Sequence, residues 1–363
     1  MDARGADAAF AGRIAGAFMS WFGKVFWARL GFAALLIVLF AGLALWGVRM
    51  DVQRYAATAL PLTESLCISL DRGERLNTVL DELTQPLALS DLDRLRWRVL
   101  ARLDANAGRL RAGEYQLEPG ITPTGLLEML ASGKGVLHKV TLVEGMTLEQ
   151  VRDVLAQHPA LVQEGFALSA QDLMTALGAK DALAEGFFMP ETYVFARGDT
   201  DVSVLKRAHE AMQQTLEQLW AERNPDLPLQ TPQQALILAS IVEKETGVAA
   251  ERAKIASVFI NRLRKGMKLQ TDPTVIYGLG HAFDGNLRRR DLERDTPWNT
   301  YSRTGLPPTA IALPSKAALQ AVMHPEKTDA LYFVADGKGG HVFSNSLDAH
   351  NRAVRDYVRG LKK

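Results

Sequence analysis

Leu30 to Val48 reads LGFAALLIVLFAGLALWGV, 19 consecutive residues without a charge or a strongly polar side chain. About 20 apolar residues rising 1.5 Å each cross a bilayer core of roughly 30 Å, and a helix satisfies its own backbone groups there. Trp21, Trp27 and Trp46 lie near the two ends, where aromatic belts form. A buried core helix competes with this reading, but such helices are usually shorter and carry polar positions. A cleavable signal fits less well. The nearest small-x-small site, Ala57-Thr58-Ala59, is about three turns beyond the run. The pattern predicts an uncleaved transmembrane anchor over 30–48, with residues 49–63 as a stalk.

Beyond the stalk a helix-start pattern recurs. Gly73-Glu74-Arg75-Leu76 leads into Val79, Leu80 and Leu83; Gly120-Ile121-Thr122-Pro123 into Leu126, Leu127 and Leu130; Gly145-Met146-Thr147-Leu148 into Val151, Val154 and Leu155. In the latter two, Thr is a natural N-cap, and Pro123 sits at the first helical position where its missing N–H does no harm. Leu92–Leu103 reads as a further helix, and Gly113–Leu117 and Lys139–Val143 as short strands. These are small β-α-α-β units, a form that serves as spacer or as glycan binder. Asp201 to Arg223 is an amphipathic helix stopped by Pro225, Pro228 and Pro232. Leu331–Ala335 and His341–Ser344 flank a Asp-Gly-Lys-Gly-Gly turn as a hairpin, and Ser346 caps a final helix reaching about Leu361. The mixture predicts an α+β fold.

The most informative segment is Ala235 to Gly247, ALILASIVEKETG. Its first part is apolar nearly all round, which predicts a buried helix capped by Thr231. At 100° per residue Glu245 lies over Leu238, Ile241 and Val242, whereas Glu243 lies over Leu236, Ala239 and Ser240. Desolvation and the negative end of the helix dipole both raise the pKa of Glu245, which suits a general acid. Lys244 would oppose this. A Glu-Lys-Glu cluster fraying at a surface is the competing reading, because one carboxylate on a helix is not specific. Glu251–Arg264 follows as a second amphipathic helix. After it come loops rich in Gln, Asp, Asn, Thr and Tyr, including Gln270, Asp272, Tyr277, Asn299 and Tyr301. Such side chains suit a sugar polymer, with its apolar ring faces and hydroxyl rims; equally they are ordinary turn chemistry.

Composition adds exclusions. With 42 Lys+Arg against 41 Asp+Glu the net charge is +1, which gives no support for a nucleic-acid partner. The single cysteine, Cys67, cannot form an intramolecular disulfide or a Cys-rich zinc site, and the seven histidines include no His-Glu-x-x-His pair. Arg4, Arg13, Lys24 and Arg29 precede the apolar run against Asp2 and Asp7, while Arg49 and Arg54 follow it. The positive-inside rule then places the N-terminus in the cytoplasm and the rest of the chain outside.

LASIVEKET, ASVFINRL, LQTDPTVIYG, NTY and TGLPP, with LYFVADGKGGHVFS, VEGMTLEQV and EGFFMPETYVF, resemble the endolytic murein transglycosylase, or YceG-like, family. The likeness covers essentially everything after residue 30. It implies a single-pass inner-membrane protein with a periplasmic catalytic region. The corresponding division is 1–29 cytoplasmic, 30–48 anchor, 49–63 stalk, 64–140 LysM-like subdomain and 141–363 catalytic domain. The N-terminal 29 residues are longer than the family pattern.

The resemblance further implies cleavage of peptidoglycan strands between N-acetylmuramic acid and N-acetylglucosamine, with the second Glu of E-K-E-T, Glu245, as catalytic residue. One glutamate suffices, because the muramyl C6 hydroxyl attacks C1 and leaves a 1,6-anhydro end; no metal or organic cofactor is needed. Gln270, Asp272, Tyr277, Asn299 and Tyr301 are candidates for the glycan groove, with Glu191 in either a binding or a structural role. Association with peptidoglycan synthases is implied by the family and has no sign in the residues. Two alternatives stay open: a hydrolytic muramidase using Asp272 as base or nucleophile, and a non-enzymatic, membrane-anchored glycan-binding scaffold.

Overall fold

The computed structural model describes residues 4–180 and 183–360; for residues 4–26, 28 and 29 it describes the backbone alone. The side chains of Arg4, Arg13, Trp21, Lys24 and Arg29, and all of Leu361, therefore lie outside the described part. The fold is mixed α+β and divides into two compact units, Met1–Gly135 and Val136–Lys363.

The first unit opens with a long helix, α1 (Arg4–Ala57), followed by β1 (Leu66–Leu70), α2 (Leu76–Thr84), α3 (Asp91–Leu103), β2 (Gly113–Leu117) and α4 (Pro123–Ser132). Every residue of α1 from Leu30 to Arg49 is exposed. An apolar run this long, packed against nothing in its own chain, is no core helix, and its length and composition are compatible with a single membrane span. The segment expected to be a stalk continues α1 instead, to Ala57. There Val52 and Ala56, one turn apart, are buried with Leu60 in a core built on Leu83, Trp97, Tyr115, Leu117 and Leu126. Arg96 fixes this turn by donating to both carboxylate oxygens of Asp51, at 2.8 and 3.0 Å. β1 and β2 pair antiparallel, Leu66 opposite Leu117 and Leu70 opposite Gly113. On β1, Cys67 Sγ donates to Glu114 of β2 at 3.1 Å. Thr122 caps α4, with Pro123 at its first position.

The second unit runs β3 (Leu137–Thr141), α5 (Leu148–Ala156), α6 (Ala170–Ala176), β4 (Thr192–Ala196), α7 (Asp201–Ala221), α8 (Pro232–Glu245), α9 (Arg252–Arg264), α10 (Asp272–Leu279), α11 (Arg289–Glu293), α12 (Lys316–Met323), β5 (Tyr332–Ala335), β6 (His341–Ser344) and α13 (Leu347–Gly360). Thr147 and Gln150 form a capping box on α5, and Thr231 caps α8. One core gathers beneath the antiparallel pair β3–β4, around Phe188, Val151 and Leu173. The other surrounds α8, whose residues Ala235 to Val242 are all buried, against α9 and α12. Each large aliphatic side chain so enclosed contributes roughly 1.5–3 kcal/mol, so α8 is firmly held. β5 and β6 close as a hairpin, Ala335 opposite His341. Asp336 Oδ1 accepts from the backbone of Lys338 and Gly340 at 2.6 and 3.0 Å, and Gly337 and Gly339 supply the left-handed conformers the turn requires.

Candidate active site

The two glutamates at the end of α8 have different surroundings. Glu243 turns toward α12, where its Oε2 accepts from the Ser315 backbone N–H at 2.9 Å and from the Ser315 hydroxyl. Ser315 is the N-cap of α12, so Glu243 holds two helices together. Glu245 is the last residue of α8, half-buried, with Thr246 already extended at φ −147°. Lys244 points elsewhere and donates to the Gly145 carbonyl at 3.2 Å.

Glu245 lines a cleft of about 460 Å³ together with Phe259 and Arg262 of α9, the 269–272 loop, Tyr301, Tyr332 and Phe333 of β5, and Leu347, His350 and Asn351 of α13. The loop is tightly specified. Gln270 takes a left-handed backbone, φ 51°, uncommon for a side-chain-bearing residue. Its N–H donates to the Thr300 carbonyl at 3.2 Å, and the next N–H, of Thr271, donates to Thr300 Oγ1 at 3.1 Å. The Thr271 hydroxyl is thereby aimed at Glu245 and donates to its Oε1. Such strain persists where the surroundings over-determine it, which is typical of functional sites.

Burial pushes the Glu245 carboxyl above the ordinary glutamate range, and the nearby negative charge of Asp272 pushes it the same way; the Thr271 hydrogen bond and the charge of His341 pull it back. The result is a carboxyl biased toward its protonated form and able to give up a proton. Asp272 is engaged otherwise, since its Oδ1 accepts from the Tyr301 hydroxyl at 2.6 Å. His341 is held by Glu251, whose carboxylate accepts from the His341 backbone at 3.0 Å and meets Nδ1 at 2.7 Å.

Of the groove candidates, the structure brings Gln270, Asp272 and Tyr301 into the cleft with Glu245. It places the other three outside the cleft lining. Asn299 is 1% exposed and works as a clamp: its Nδ2 donates to the carbonyls of Leu292 and Arg294 at 2.9 and 2.6 Å, and its Oδ1 accepts from the N–H of Tyr301 and Ser302 at 2.8 and 3.2 Å. It thus fixes the turn that carries Tyr301. Tyr277, on α10, donates to Glu185 Oε2 at 3.0 Å and packs edge-on against Trp298. Glu191 is exposed at the start of β4, where its carbonyl accepts from Leu142 N–H at 3.0 Å.

Sequence reasoning missed four groups. Arg262, Tyr332 and His350 line the cleft from three elements, and no spacing rule links them. Glu185, within EGFFMPETYVF, is raised to about 7 by burial and bridges the α5 N-terminus, through Leu148 N–H at 3.0 Å, to Tyr277. A glutamate between apolar residues was the available signal. Among the described residues no group of three His, Cys, Asp or Glu is arranged to hold a metal ion.

The family model described as "YceG-like family" matches residues 68–356. The chain is similar to an "Endolytic murein transglycosylase" of Bacillus subtilis (strain 168), 34% identical, covering 69% of this chain and 74% of that protein. A protein of the same name from Streptococcus pneumoniae serotype 2 is 31% identical; this chain spans 51% of its length. Among solved structures, a yceG-like protein of Listeria monocytogenes matches 80% of this chain and 98% of its own with a TM-score of 0.52 and 28% identity.

Proposed function

The chain belongs to the YceG-like family, and from that premise we propose that it is a peptidoglycan lytic transglycosylase with Glu245 as its acid and base. The observation that carries the reading is a single desolvated carboxyl at the rigid end of α8, opening on a cleft with aromatic and amide walls. Protonated Glu245 donates to the glycosidic oxygen as the bond to the muramyl C1 breaks. The muramyl C6 hydroxyl closes on C1 and returns its proton to the Glu245 carboxylate. One C–O bond breaks and one forms, no water is added, and the enzyme regains its starting protonation. Asp272 and Tyr301 face the sugar as a hydrogen-bonded pair, Gln270 offers its amide, and Tyr332 and Phe333 offer apolar faces. Tyr277, Asn299 and Glu191 support this arrangement from outside the cleft.

The β-α-α-β order of the first unit supports a LysM-like subdomain that holds the strand near the membrane. The exposed apolar run of α1 supports a single-pass anchor in the inner membrane, with the cytoplasmic end at the basic N-terminus and the cleft on the periplasmic side. Peptidoglycan synthases, which make the strand being cut, are the partners this placement favours.

Mass spectrometry of products from purified sacculi tests the function. Anhydro-muramyl ends, one water lighter than hydrolytic ends, are expected. Hydrated ends would make the enzyme a muramidase, and binding without cleavage would make it a scaffold.

A further inference from the structure

Arg262, near the end of α9, is 8% exposed and lies in the wall of the Glu245 cleft. Its Nε donates to the Leu331 carbonyl at 2.7 Å. Its Nη1 faces three acceptors, the carbonyls of Lys268 and Leu269 and the side-chain oxygen of Gln270, at 3.1, 2.9 and 3.2 Å. All four acceptors are neutral. Nη2 makes no hydrogen bond among the described residues, and it is not among the enclosed polar atoms that lack partners. Nη2 is therefore not fully enclosed, and Arg262 is one of the residues that line the cleft.

A buried guanidinium normally has a carboxylate beside it, because burying an unpaired charge is costly. Among the described residues none forms an ion pair with Arg262, and burial pushes its pKa down. The face of Tyr332, 5.0 Å from Cζ, offsets part of that cost. His350 stacks on the same ring, 5.1 Å away and 24° from parallel. Nε and Nη1 are explained by bracing β5 and the 268–270 loop, and Nη2 is left without a structural task. Its N–H groups, on a charged guanidinium, suit a carboxylate oxygen.

The following rests on the transglycosylase reading, under which the cleft holds a muramyl residue. That sugar carries a lactyl arm, ending in a carboxylate or in a peptide that bears carboxylates. The geometry points to Arg262, braced on Tyr332, as the receptor for a carboxylate borne on the muramyl lactyl arm. The missing counter-ion of the cleft arrives with the substrate, and strands that lack it bind without it.

The full chain in detergent, given four substrates, tests this. They are peptide-bearing strands and strands stripped of peptide, which expose the lactyl carboxylate, each before and after conversion of carboxylates to neutral amides. The rate of anhydro-end formation below saturation gives kcat/KM. Neutralisation is expected to lower it about 10-fold or more in at least one pair, the size of a lost hydrogen bond to a charged group. A loss confined to stripped strands assigns the lactyl carboxylate; a loss confined to peptide-bearing strands assigns one in the peptide; a loss in both shows that either serves. In Arg262→Gln the charged-to-neutral ratio falls to within about twofold of one, whatever rate remains. Wild-type enzyme indifferent to neutralisation in both pairs overturns the proposal and needs no variant. So does a folded Arg262→Gln that keeps the wild-type ratio. Absence of anhydro ends from all four substrates overturns the transglycosylase reading, and the carboxylate receptor with it.

Discussion

Replacing Glu245 by Gln exchanges one carboxylate oxygen for an amide nitrogen and removes the only proton the proposed reaction moves through the protein. The amide oxygen can still accept from Thr271, so the local hydrogen bond survives. Burial disfavours the Glu245 carboxylate, so its removal should not destabilise the fold. General acid–base catalysis by one group is worth about 10²–10⁴ in rate. Glu245 serves in both directions, so a fall of about 10³ or more is expected. Glu243, two residues back on the same helix, is the control. Its Oε2 takes both Ser315 donors, and a Gln amide oxygen in that place can accept both but loses the charge that strengthens them, a cost of about 1–3 kcal/mol. Glu243→Gln should therefore lower the urea midpoint while leaving most of the activity. Initial rates of anhydro-end formation and equilibrium unfolding, measured on both variants, separate the roles. A folded Glu245→Gln enzyme retaining more than about a tenth of wild-type rate would refute the reasoning, as would a Glu243→Gln enzyme that is inactive but fully stable.

The protonation state of Glu245 gives a test of sign. Activity needs the protonated acid, so it falls as pH rises through the raised pKa. Thr271→Val removes a hydrogen bond that lowers that pKa and should move the alkaline limb up; Asp272→Asn removes a charge that raises it and should move the limb down. Limbs moving in the same direction would contradict the assigned causes. Glu185 stands at about 7 in the fold against an ordinary 4.5. Its contribution to stability is complete below about 4.5 and is lost as pH rises through 7, by about 2–3 kcal/mol after allowing for partial exposure. Unfolding midpoints of Glu185→Gln should lack this loss between pH 5 and 8, and parallel profiles would show that Glu185 is not its source. Asn299→Ala strands the buried partners of four hydrogen bonds and should cost about 2–4 kcal/mol, with activity falling as Tyr301 loses its anchor. A change below about 1 kcal/mol in thermal or urea unfolding would contradict the clamp.

Local codes were legible. Thr122-Pro123, Thr147 with Gln150, and Thr231-Pro232 each start a helix where capping chemistry predicts one, because a cap is satisfied within four residues. The apolar run from Leu30 was legible because length and composition alone mark a helix compatible with a membrane span. The helical stripe also separated Glu245 from Glu243, since 100° per residue fixes which face each shares. Boundaries drifted where tertiary packing took over. α1 runs to Ala57 because Val52 and Ala56 find a core to enter.

The roles of polar residues were the least legible. Asn299 and Tyr277 have the composition of a sugar groove, yet the structure uses the same amide and hydroxyl to hold backbone and Glu185. Arg262 reads in sequence as one more basic residue in the last turn of an amphipathic helix. Only the packing of α9 against β5 buries it, leaves it without a carboxylate partner among the described residues and sets it in the wall of Glu245's cleft. The chain by itself determined the long apolar helix, the capped helices and the one glutamate on the apolar stripe, because those depend on neighbours within a few residues. The tertiary structure alone decided what surrounds that glutamate, because burial and charge pairing are set by segments as distant in the chain as Tyr332 and His350.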